Sequence, residues 1–358
     1  MRKRSHVISF IIIYAIVHLF FGWSIKQWLI SIGIFKGEFV FWLLLYLIAY
    51  GIQIGRMKSR FKLVIAASNY WLFFVQYGVF MSLLSLLIVM LTPFNRVDLL
   101  GYLSFIVLLV LLGVGHIQAY RPVKRHLSIK INKQGKPLRL VIGSDFHLGV
   151  LSHKRHLQKF VDMSNAEAPD LVILAGDIVD DHPKWYVKEG MPQVMRQLRS
   201  NYGVYGVLGN HEYYGGSIGY LVEVMRNSNV TMLIDETVLI DNRIYLTGQE
   251  DSLNRFRKPL VDIKPEDHSL PWIVINHTPN DLQTPANEGV DLHISGHTHK
   301  GQMWPNSLVT RRMYELDHGY KQKQNMHVIV SSGFGFWGPP IRLGSRSELW
   351  VVDIEFLR

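Results

Sequence analysis

The sequence predicts an α/β domain that follows a four-helix transmembrane region. Three observations lead to this prediction: four apolar blocks lie before residue 120, short apolar runs ending in glycine recur after residue 138, and the composition changes near Arg121. Long apolar blocks are typical of membrane spans, whereas short apolar runs between amphipathic stretches are typical of buried strands joined by helices. We therefore divide the chain into a transmembrane region (1–120), a basic linker (121–137) and a second domain (138–358).

The positive charge of the chain is confined to its first part. Residues 1–136 contain 16 Lys and Arg against 2 acidic residues, a net charge of +14, whereas residues 137–358 contain 22 against 26, a net charge of −4. Because binding to a phosphate backbone needs clustered positive charge, we expect no nucleic-acid partner for the second domain. The chain has no cysteine, which excludes disulfides, thiol nucleophiles and cysteine-ligated metals.

The four apolar blocks occupy residues 7–23, 39–54, 64–91 and 99–117. A helix needs about 20 residues to cross about 30 Å of hydrocarbon. The third and fourth blocks meet this length, and the first two meet it only with flanking residues. A buried helix hairpin of a soluble protein is an alternative, but four successive blocks without an interior acid or base argue against it. A cleaved signal peptide is an alternative for the first block, which lacks a small-residue cleavage site.

Basic residues flank the blocks unevenly. By the positive-inside rule, the side with more Lys and Arg is cytoplasmic, which predicts a multi-pass protein of the cell membrane with a cytoplasmic second domain. The six basic residues of the linker should also hold it against anionic headgroups, at ~1 kcal/mol per charge. The opposite connectors carry only Lys26, Lys36 and Arg96. The basic residues on the predicted cytoplasmic side are Arg2, Lys3, Arg4, Arg56, Lys58, Arg60, Lys62, Arg121, Lys124, Arg125, Lys130, Lys133 and Lys136.

In the second domain, polar residues follow five apolar runs. The runs occupy 140–144, 171–176, 204–209, 272–276 and 292–296. Ligands of α/β sheets gather where strands end at their carboxyl side, so we expect the polar residues to meet at one edge. They are Asp145, His147, Asp177, Asn210, His211, His277, His297 and His299.

This set of side chains suits a hydrolytic site with two metal ions. Carboxylate, imidazole and amide ligands favour Mn, Fe or Zn, and the absence of thiolate removes softer choices. A carboxylate after the second strand could bridge two ions about 3.5–4 Å apart, the separation that clamps the attacking and leaving oxygens of a phosphoryl transfer. A water between such ions would be acidic enough to serve as the nucleophile at neutral pH.

Five motifs in order give the chain a resemblance to a known family. They are Ser144-Asp145-Phe146-His147, Gly176-Asp177-Ile178-Val179-Asp180, Gly209-Asn210-His211-Glu212, Asn276-His277-Thr278-Pro279 and Gly296-His297-Thr298-His299. Together they resemble the calcineurin-like metallophosphoesterase superfamily. The segment 331–342 is similar to a membrane-associated bacterial branch that includes YkuE-like proteins and UDP-2,3-diacylglucosamine pyrophosphatases. That branch usually has glycine where this chain has Lys300.

The resemblance implies a four-layer α-β-β-α sandwich with two divalent metal ions per chain. Carried over by position, Asp177 would bridge the ions and His211 would protonate the leaving oxygen or neutralise developing charge. The first ion would be held by Asp145, His147 and His299, and the second by Asn210, His277 and His297.

Residues outside the ligand set receive weaker expectations. Arg342 and Lys300 are cations suited to gripping a phosphate, and Tyr213, with Tyr214, follows the catalytic histidine and is a candidate substrate contact. Asp180 and Asp181 are expected to be helix caps or to orient other side chains. Surface positions are expected for His153, His156, His182, His268, His318 and His327.

Joining the two parts predicts a membrane-anchored phosphoesterase. Anchoring raises the local concentration of membrane-borne phosphates, which favours a phosphodiester or pyrophosphate in a lipid-linked substrate similar to UDP-2,3-diacylglucosamine. One alternative is a nucleotide or cyclic-nucleotide phosphodiesterase in which the spans act as a sensor. Another is a non-catalytic membrane scaffold.

Overall fold

The computed structural model describes residues 2–35, 37–58 and 61–357. The chain divides into two compact units, the first ending at Val114 and the second beginning at Gly115. Lys36 and Arg60, which entered the orientation argument, lie outside the described residues.

The first unit is built of long helices. The four helices that begin in it are α1 (Arg2–Ser31), α2 (Glu38–Lys58), α3 (Lys62–Leu91) and α4 (Val97–Tyr120). Within the described residues, three segments are long and apolar enough to cross a membrane: Ile11–Ser31, Lys62–Leu91 and Val97–Tyr120.

The prediction of four membrane-spanning helices is wrong at the second block. The apolar part of α2 that the structure describes, Glu38–Gly51, has fewer than 18 residues. Within the described residues, this stretch is therefore shorter than the length of about 20 residues that crossing the hydrocarbon takes. The apolar block had been expected to gain the missing length from flanking residues, but its last turns contain Arg56 and Lys58.

The second unit alternates strands with short helices. Its strands are β1 (Val123–Gln134), β2 (Leu138–Gly143), β3 (Leu171–Ala175), β4 (Val204–Val207), β5 (Thr231–Met232), β6 (Glu236–Ile240), β7 (Ile244–Gln249), β8 (Trp272–Asn276), β9 (Leu292–Ser295), β10 (Gly319–Lys323), β11 (Met326–Val330) and β12 (Glu348–Leu357). Its helices are α5 (Lys154–Asn165), α6 (Lys184–Lys188), α7 (Met191–Met195), α8 (Asn210–Gly215), α9 (Ile218–Arg226), α10 (Gln283–Asn287) and α11 (Ser307–Met313). Single 3₁₀ turns form at Leu260–Asp262 and His299–Gly301.

The strands form two mixed sheets of six strands each. The first has the order β1-β12-β2-β3-β4-β5 and the second β10-β11-β9-β8-β7-β6. In the first sheet only β12 and β2 are antiparallel, and in the second only the outer pairs β10/β11 and β6/β7 are. The parallel strands β2, β3 and β4 therefore present their carboxyl ends at one edge, as do β7, β8 and β9.

Apolar side chains fill both faces of the sheets because the strand period is two residues. Leu140 and Ile142 of β2 pack with Ile273 and Ile294 of the second sheet in a shared core. Val141 points to the other face, where α5 and α9 pack. A third cluster covers the outer face of the second sheet with α10. The result is a mixed α/β fold with two sheets, as the sequence predicts.

The segment 121–137 is not a linker over most of its length. Its residues Val123–Gln134 form β1, which pairs in parallel with β12. Ile129 and Ile131 are buried in the shared core, and Ser128, Lys130 and Asn132 alternate with them on the exposed face. Three of the six expected headgroup contacts are instead ion pairs with acids of the second unit: Lys124 with Glu167, Arg125 with Glu348 and Lys133 with Asp291.

Candidate metal centre

Eight polar side chains that were predicted from the sequence meet at the carboxyl edge of the two sheets. The turns after β2, β3 and β4 supply Asp145, His147, Asp177, Asn210 and His211. The turns after β8 and β9 supply His277, His297 and His299. All of them are buried except His211 and His297, which are partly exposed.

Asp145, His147 and His299 form one compact group. The two imidazoles face each other with 3.0 Å between their Nε2 atoms. Asp145 Oδ1 lies 3.4 Å from His299 Nε2. Asp177 Oδ2 lies 3.7 Å from His147 Nε2, so this carboxylate borders the group.

Asp177, His277 and His297 form a second group on the other side of the same carboxylate. His277 Nε2 is 3.2 Å from Asp177 Oδ2. Asn210 Oδ1 lies 3.2 Å from His277 Nε2 and 2.7 Å from His297 Nδ1. Asp177 thus contacts both groups, which is the arrangement that a bridging ligand requires.

Glycines bring the five turns close enough for these contacts. A Cβ atom at Gly209 would lie 2.2 Å from Asp177 Oδ1, and one at Gly296 would lie 2.3 Å from Asp145 Oδ2. A Cβ atom at Gly176 would lie 2.5 Å from His277 Nδ1. These approaches are too short for any larger residue, which gives a physical reason for glycine in three of the five motifs.

The backbone of the site is strained in the way common to functional centres. Five of the converging residues have left-handed φ angles between 45° and 70°. For a residue other than glycine this conformation costs roughly 1–2 kcal/mol, so the surrounding fold must stabilise it. The five are Asp145, His147, Asp177, His297 and His299.

The buried carboxylates and neutral imidazoles of the site favour the binding of cations. Burial lowers the pKa of His147 and of His299 well below the usual value, so both rings are neutral and keep a lone pair for a metal. Burial also acts on His277, but the charges of Asp177 and Asp145 outweigh it and raise its pKa to about 10. Asp145 Oδ2 is buried without a hydrogen-bond partner among the described residues. The residues therefore fit a pair of divalent ions.

His211 lies beside both groups and has a partner of its own. Its Nδ1 lies 2.6 Å from Asp181 Oδ1, and its ring centre is 4.5 Å from that of His147. Burial lowers the pKa of His211, but the Asp181 hydrogen bond and the nearby carboxylates raise it more, to about 8. The same ring is also within ligand range of His147 and Asp177.

Sequence comparison agrees with this geometry. The calcineurin-like phosphoesterase family matches residues 138–301. An uncharacterized metallophosphoesterase of Helicobacter pylori is 32% identical over 268 residues, covering 72% of this chain and 71% of that relative. The chain belongs to the calcineurin-like phosphoesterase family. It is accordingly a metal-dependent phosphoester hydrolase of a dimetal-dependent family.

Two further relatives differ in how much of the chain they share. A metallophosphoesterase of Aquifex aeolicus is 30% identical over 257 residues, which cover 69% of this chain and 97% of that relative. A bovine transmembrane protein with a metallophosphoesterase domain is 31% identical over 242 residues, 61% of this chain and 53% of that relative. The three apolar helices and the name of this relative indicate association with a membrane.

Glu212 is a functional residue of this phosphoesterase to which sequence reasoning assigned no role. Its buried carboxylate accepts backbone hydrogen bonds from Asp177 (3.0 Å), Val179 (3.0 Å) and Gly209 (2.7 Å). It thereby ties the turn after β3 to the turn after β4. An acid three residues after the glycine that caps α8 is a capping-box signal, which could have identified it.

The prediction that Arg342 grips substrate is wrong. The side chain is fully buried. Its guanidinium donates to the carbonyls of Ser332 (2.6 Å) and Gly335 (2.7 Å), and its Nη2 lies 3.2 Å from His299 Nδ1. A basic residue in a glycine-rich segment suggested a phosphate contact, but all of these partners belong to the protein. Arg342 therefore positions His299.

Tyr213 also differs from expectation. Its hydroxyl donates to Glu250, and its ring packs against the core of the first sheet. Tyr214 is 63% exposed, with its ring centre 5.3 Å from that of His211. Because consecutive residues of a helix point about 100° apart, only one of the two can face the site. Of the two tyrosines, Tyr214 is therefore the one whose ring lies beside His211, whereas Tyr213 packs against the core.

Lys300 is partly exposed beside His299 and remains a candidate substrate contact. Its φ of 53° is left-handed, a conformation that glycine adopts at lower cost than lysine. Two of the histidines expected at the surface are buried instead. His156 bonds the Phe334 carbonyl at 2.8 Å, and His327 lies 2.8 Å from the Tyr320 hydroxyl.

Proposed function

We propose that this chain is a membrane-anchored binuclear phosphoesterase that cleaves a phosphodiester or pyrophosphate bond in a lipid-linked substrate. The observation that carries the proposal is the position of Asp177 between two ligand groups, in a unit that begins within the last residues of the apolar helix α4. The first feature supports the chemistry and the second supports the substrate class.

In this proposal Asp145, His147 and His299 would hold one ion, Asn210, His277 and His297 would hold the other, and Asp177 would be shared between them. When bound, the two ions offset the charge of the phosphoryl oxygens and lower the pKa of a water. Mn, Fe and Zn all suit this donor set. Glu212 and Arg342 position the ligands. Glu212 accepts the backbone hydrogen bond of Asp177, and Arg342 contacts His299 Nδ1.

We assign His211 the transfer of a proton to the leaving oxygen. Asp181 accepts from Nδ1, which leaves Nε2 to carry the proton that is transferred. The pKa of His211, raised to about 8, keeps the ring protonated at neutral pH. Tyr214 and Trp337 flank this ring, with centre distances of 5.3 and 6.4 Å, and offer contacts to the leaving group.

The high local concentration of lipid phosphates at the membrane favours a lipid-linked substrate. A phosphoesterase held at a bilayer meets lipid phosphates at high local concentration, whereas a soluble substrate gains nothing from the anchor. UDP-2,3-diacylglucosamine is the sharpest candidate to test, because it contains a pyrophosphate bond and two acyl chains.

The catalytic unit is assigned to the cytoplasmic side from the charges around α4. Arg96 precedes this helix and is paired with Asp98 at 2.8 Å. Arg121, Lys124 and Arg125 follow it within five residues of its end. The positive-inside rule counts basic residues close to span ends, so the assignment does not depend on the number of earlier spans.

The test uses the purified full chain in nanodiscs with Mn²⁺. Substrates are UDP-2,3-diacylglucosamine, a cyclic nucleotide and bis(p-nitrophenyl) phosphate, with Asp177→Asn as the inactive control. We expect cleavage of the lipid-linked pyrophosphate at the highest kcat/KM and no turnover by the variant. Activity confined to the cyclic nucleotide would overturn the lipid assignment, and metal-free, inactive protein would favour a scaffold.

A further inference from the structure

Helix α11 turns polar side chains toward the protein and apolar side chains toward the exterior. Ser307 is buried and Thr310 is half-buried, whereas Leu308, Val309 and Met313 are 54%, 57% and 67% exposed. An amphipathic helix of a soluble domain normally turns its apolar side chains to the core. Trp304, just before the helix, is 56% exposed. We name Trp304, Leu308, Val309 and Met313 the α11 patch.

The inward side of α11 is fixed by hydrogen bonds, so the exposed side is not free to turn inward. Thr310 Oγ1 donates to Asp317 Oδ2 at 2.8 Å, and Thr298 Oγ1 donates to the Asp317 carbonyl. A Cβ atom at Gly301 would lie 2.2 Å from Ser307 N, so the start of the helix is pressed against the turn that carries His299.

The helix that carries the patch adjoins the metal centre through its inward side. Thr298 stands between His297 and His299, and Tyr314, which follows α11, has its ring centre 6.0 Å from that of His297. The patch is on the outward side of the same short helix, one helix diameter from the turn that carries these ligands.

The patch also lies near the end of helix α4. Trp304 N donates to the Leu343 carbonyl at 2.7 Å. The residue before Leu343, Arg342, donates its backbone N–H to the Gly115 carbonyl at 3.0 Å. Gly115–Tyr120, the last residues of the apolar helix, belong to the second unit. Within the second unit, Leu343 and Arg342 thus connect the start of the patch to the residues that end α4.

We propose that the α11 patch rests in the headgroup region of the bilayer that the apolar helices cross. Exposed Leu, Val and Met beside a Trp, with Arg311 and Arg312 exposed on the same helix, are the composition of a segment that binds anionic lipid interfaces. Proximity to the end of α4 favours lipid over a protein partner. The role in substrate supply rests on the proposed function, whereas the lipid contact does not.

A patch at this position shortens the path of the substrate. In this proposal, a lipid that contacts the outward side of α11 has its headgroup near the helix whose inward side adjoins the turn of His297 and His299. Its phosphoester would then approach the ligand groups while the acyl chains stay in the membrane, which removes the cost of extracting them into water.

The lipid contact is tested by spin labelling, because the chain has no cysteine to remove. Leu308→Cys, Val309→Cys and Met313→Cys are labelled one at a time in the full chain in phosphatidylcholine–phosphatidylglycerol nanodiscs. The matched control is Leu239→Cys, 44% exposed on β6 at the other edge of the second sheet. We expect the three labels to be at least threefold more accessible to oxygen, relative to a water-soluble nickel chelate, than the control.

Equal accessibility at all four positions would overturn the proposal. Exclusion of both reagents together with dipolar broadening would also overturn it, because it would assign the patch to a second copy of the chain.

A second experiment combines Leu308→Asp and Val309→Asp in one variant. It compares the rate at which the variant and the wild type cleave UDP-2,3-diacylglucosamine in the nanodisc and soluble bis(p-nitrophenyl) phosphate. A loss of at least tenfold on the lipid alone supports the role in supply, and an equal loss on both contradicts it. If the wild type cleaves neither compound while the labels insert, the proposed function fails and the lipid contact stands.

Discussion

The position of His211 is compatible with two roles, metal ligand and proton donor. The residue lies within ligand range of His147 and Asp177, yet its Nδ1 is already bonded to Asp181. If it transfers a proton, His211→Ala should lower kcat by about 10²–10⁴-fold and leave the metal content unchanged. Metal analysis and turnover of the same preparation check this, with exposed His268→Ala as control. Loss of one ion per chain would instead make His211 a ligand.

Glu348 carries a pH-dependent part of the stability. Its buried carboxylate accepts from Ser332 N and Trp350 Nε1, both at 2.9 Å, and pairs with Arg125 and His318. Burial opposes its ionisation, but these partners lower the pKa from 4.5 to about 2. The stabilisation is therefore complete above pH ~4.5 and is lost as the pH falls through ~2.

We expect Glu348→Gln to destabilise the protein by about 3 kcal/mol at pH 7, because the variant lacks the carboxylate whose pKa folding lowers from 4.5 to about 2. Each tenfold change in an ionisation constant corresponds to about 1.36 kcal/mol. The variant should also lose stability less steeply than the wild type below pH 4.5. Thermal unfolding at pH 7 and pH 3 measures both effects. Glu355→Gln, at an exposed position on the same strand, should change neither, and a similar shift in both variants would contradict the assignment.

At the scale of elements, the turns after the strands depend on glycine. A Cβ atom at Gly209 would lie 2.2 Å from Asp177 Oδ1 and 2.6 Å from Asp177 N. Because the backbone of β3 and β4 is fixed by the sheet, Gly209→Ala should displace the bridging carboxylate. We expect metal content and turnover to fall at least tenfold while the protein stays folded, as measured by metal analysis and circular dichroism.

The matched control is Gly219→Ala in α9. Apart from the adjacent residues and the backbone of the helix itself, no atom of the described residues lies within 4 Å of a Cβ atom built there. Replacing a helical glycine by alanine should stabilise the protein by about 0.5–1 kcal/mol and leave the metal content unchanged. Normal metal binding by Gly209→Ala would show that the turn can relax.

Sequence reasoning located the strands that carry the site but not all the elements around them. The runs before Asp145, Asp177 and His277 are continuous and apolar because those strands are buried on both faces. Strand β1 has a weak sequence signal because its apolar alternation is short and lies among five basic residues, with Arg125 on the same alternation as Ile129 and Ile131. Arg342 was misassigned because its partners are backbone carbonyls of its own segment, which no sequence motif marks.

At the scale of the whole molecule, the assignment of sides can be tested with single cysteines. Phe256, 92% exposed in the catalytic unit, and Phe94, 40% exposed between α3 and α4, should lie on opposite sides of the membrane. A membrane-impermeant maleimide should label Phe94→Cys in intact cells and Phe256→Cys only after lysis. The reverse pattern would contradict the cytoplasmic assignment.

The end of α4 is connected to a metal ligand through one residue. Arg342 donates its backbone N to the Gly115 carbonyl at 3.0 Å, and its Nη2 lies 3.2 Å from His299 Nδ1. A Cβ atom at Gly115 would lie 2.4 Å from Ile341 Cγ2. Gly115→Val should therefore shift the segment that holds Arg342, and misplacing a ligand by about 1 Å can cost up to about 100-fold in rate.

We expect Gly115→Val to lower kcat between about 10- and 100-fold with little change in thermal stability. Gly113→Val is the matched control in the same helix, because, apart from the adjacent residues and the backbone of the helix itself, no atom of the described residues lies within 4 Å of a Cβ atom there. Measuring both variants in nanodiscs separates a general effect on α4 from one on Arg342. Equal losses would mean that the helix only anchors the enzyme, whereas a loss confined to Gly115 would make the end of the span part of the support of the metal centre.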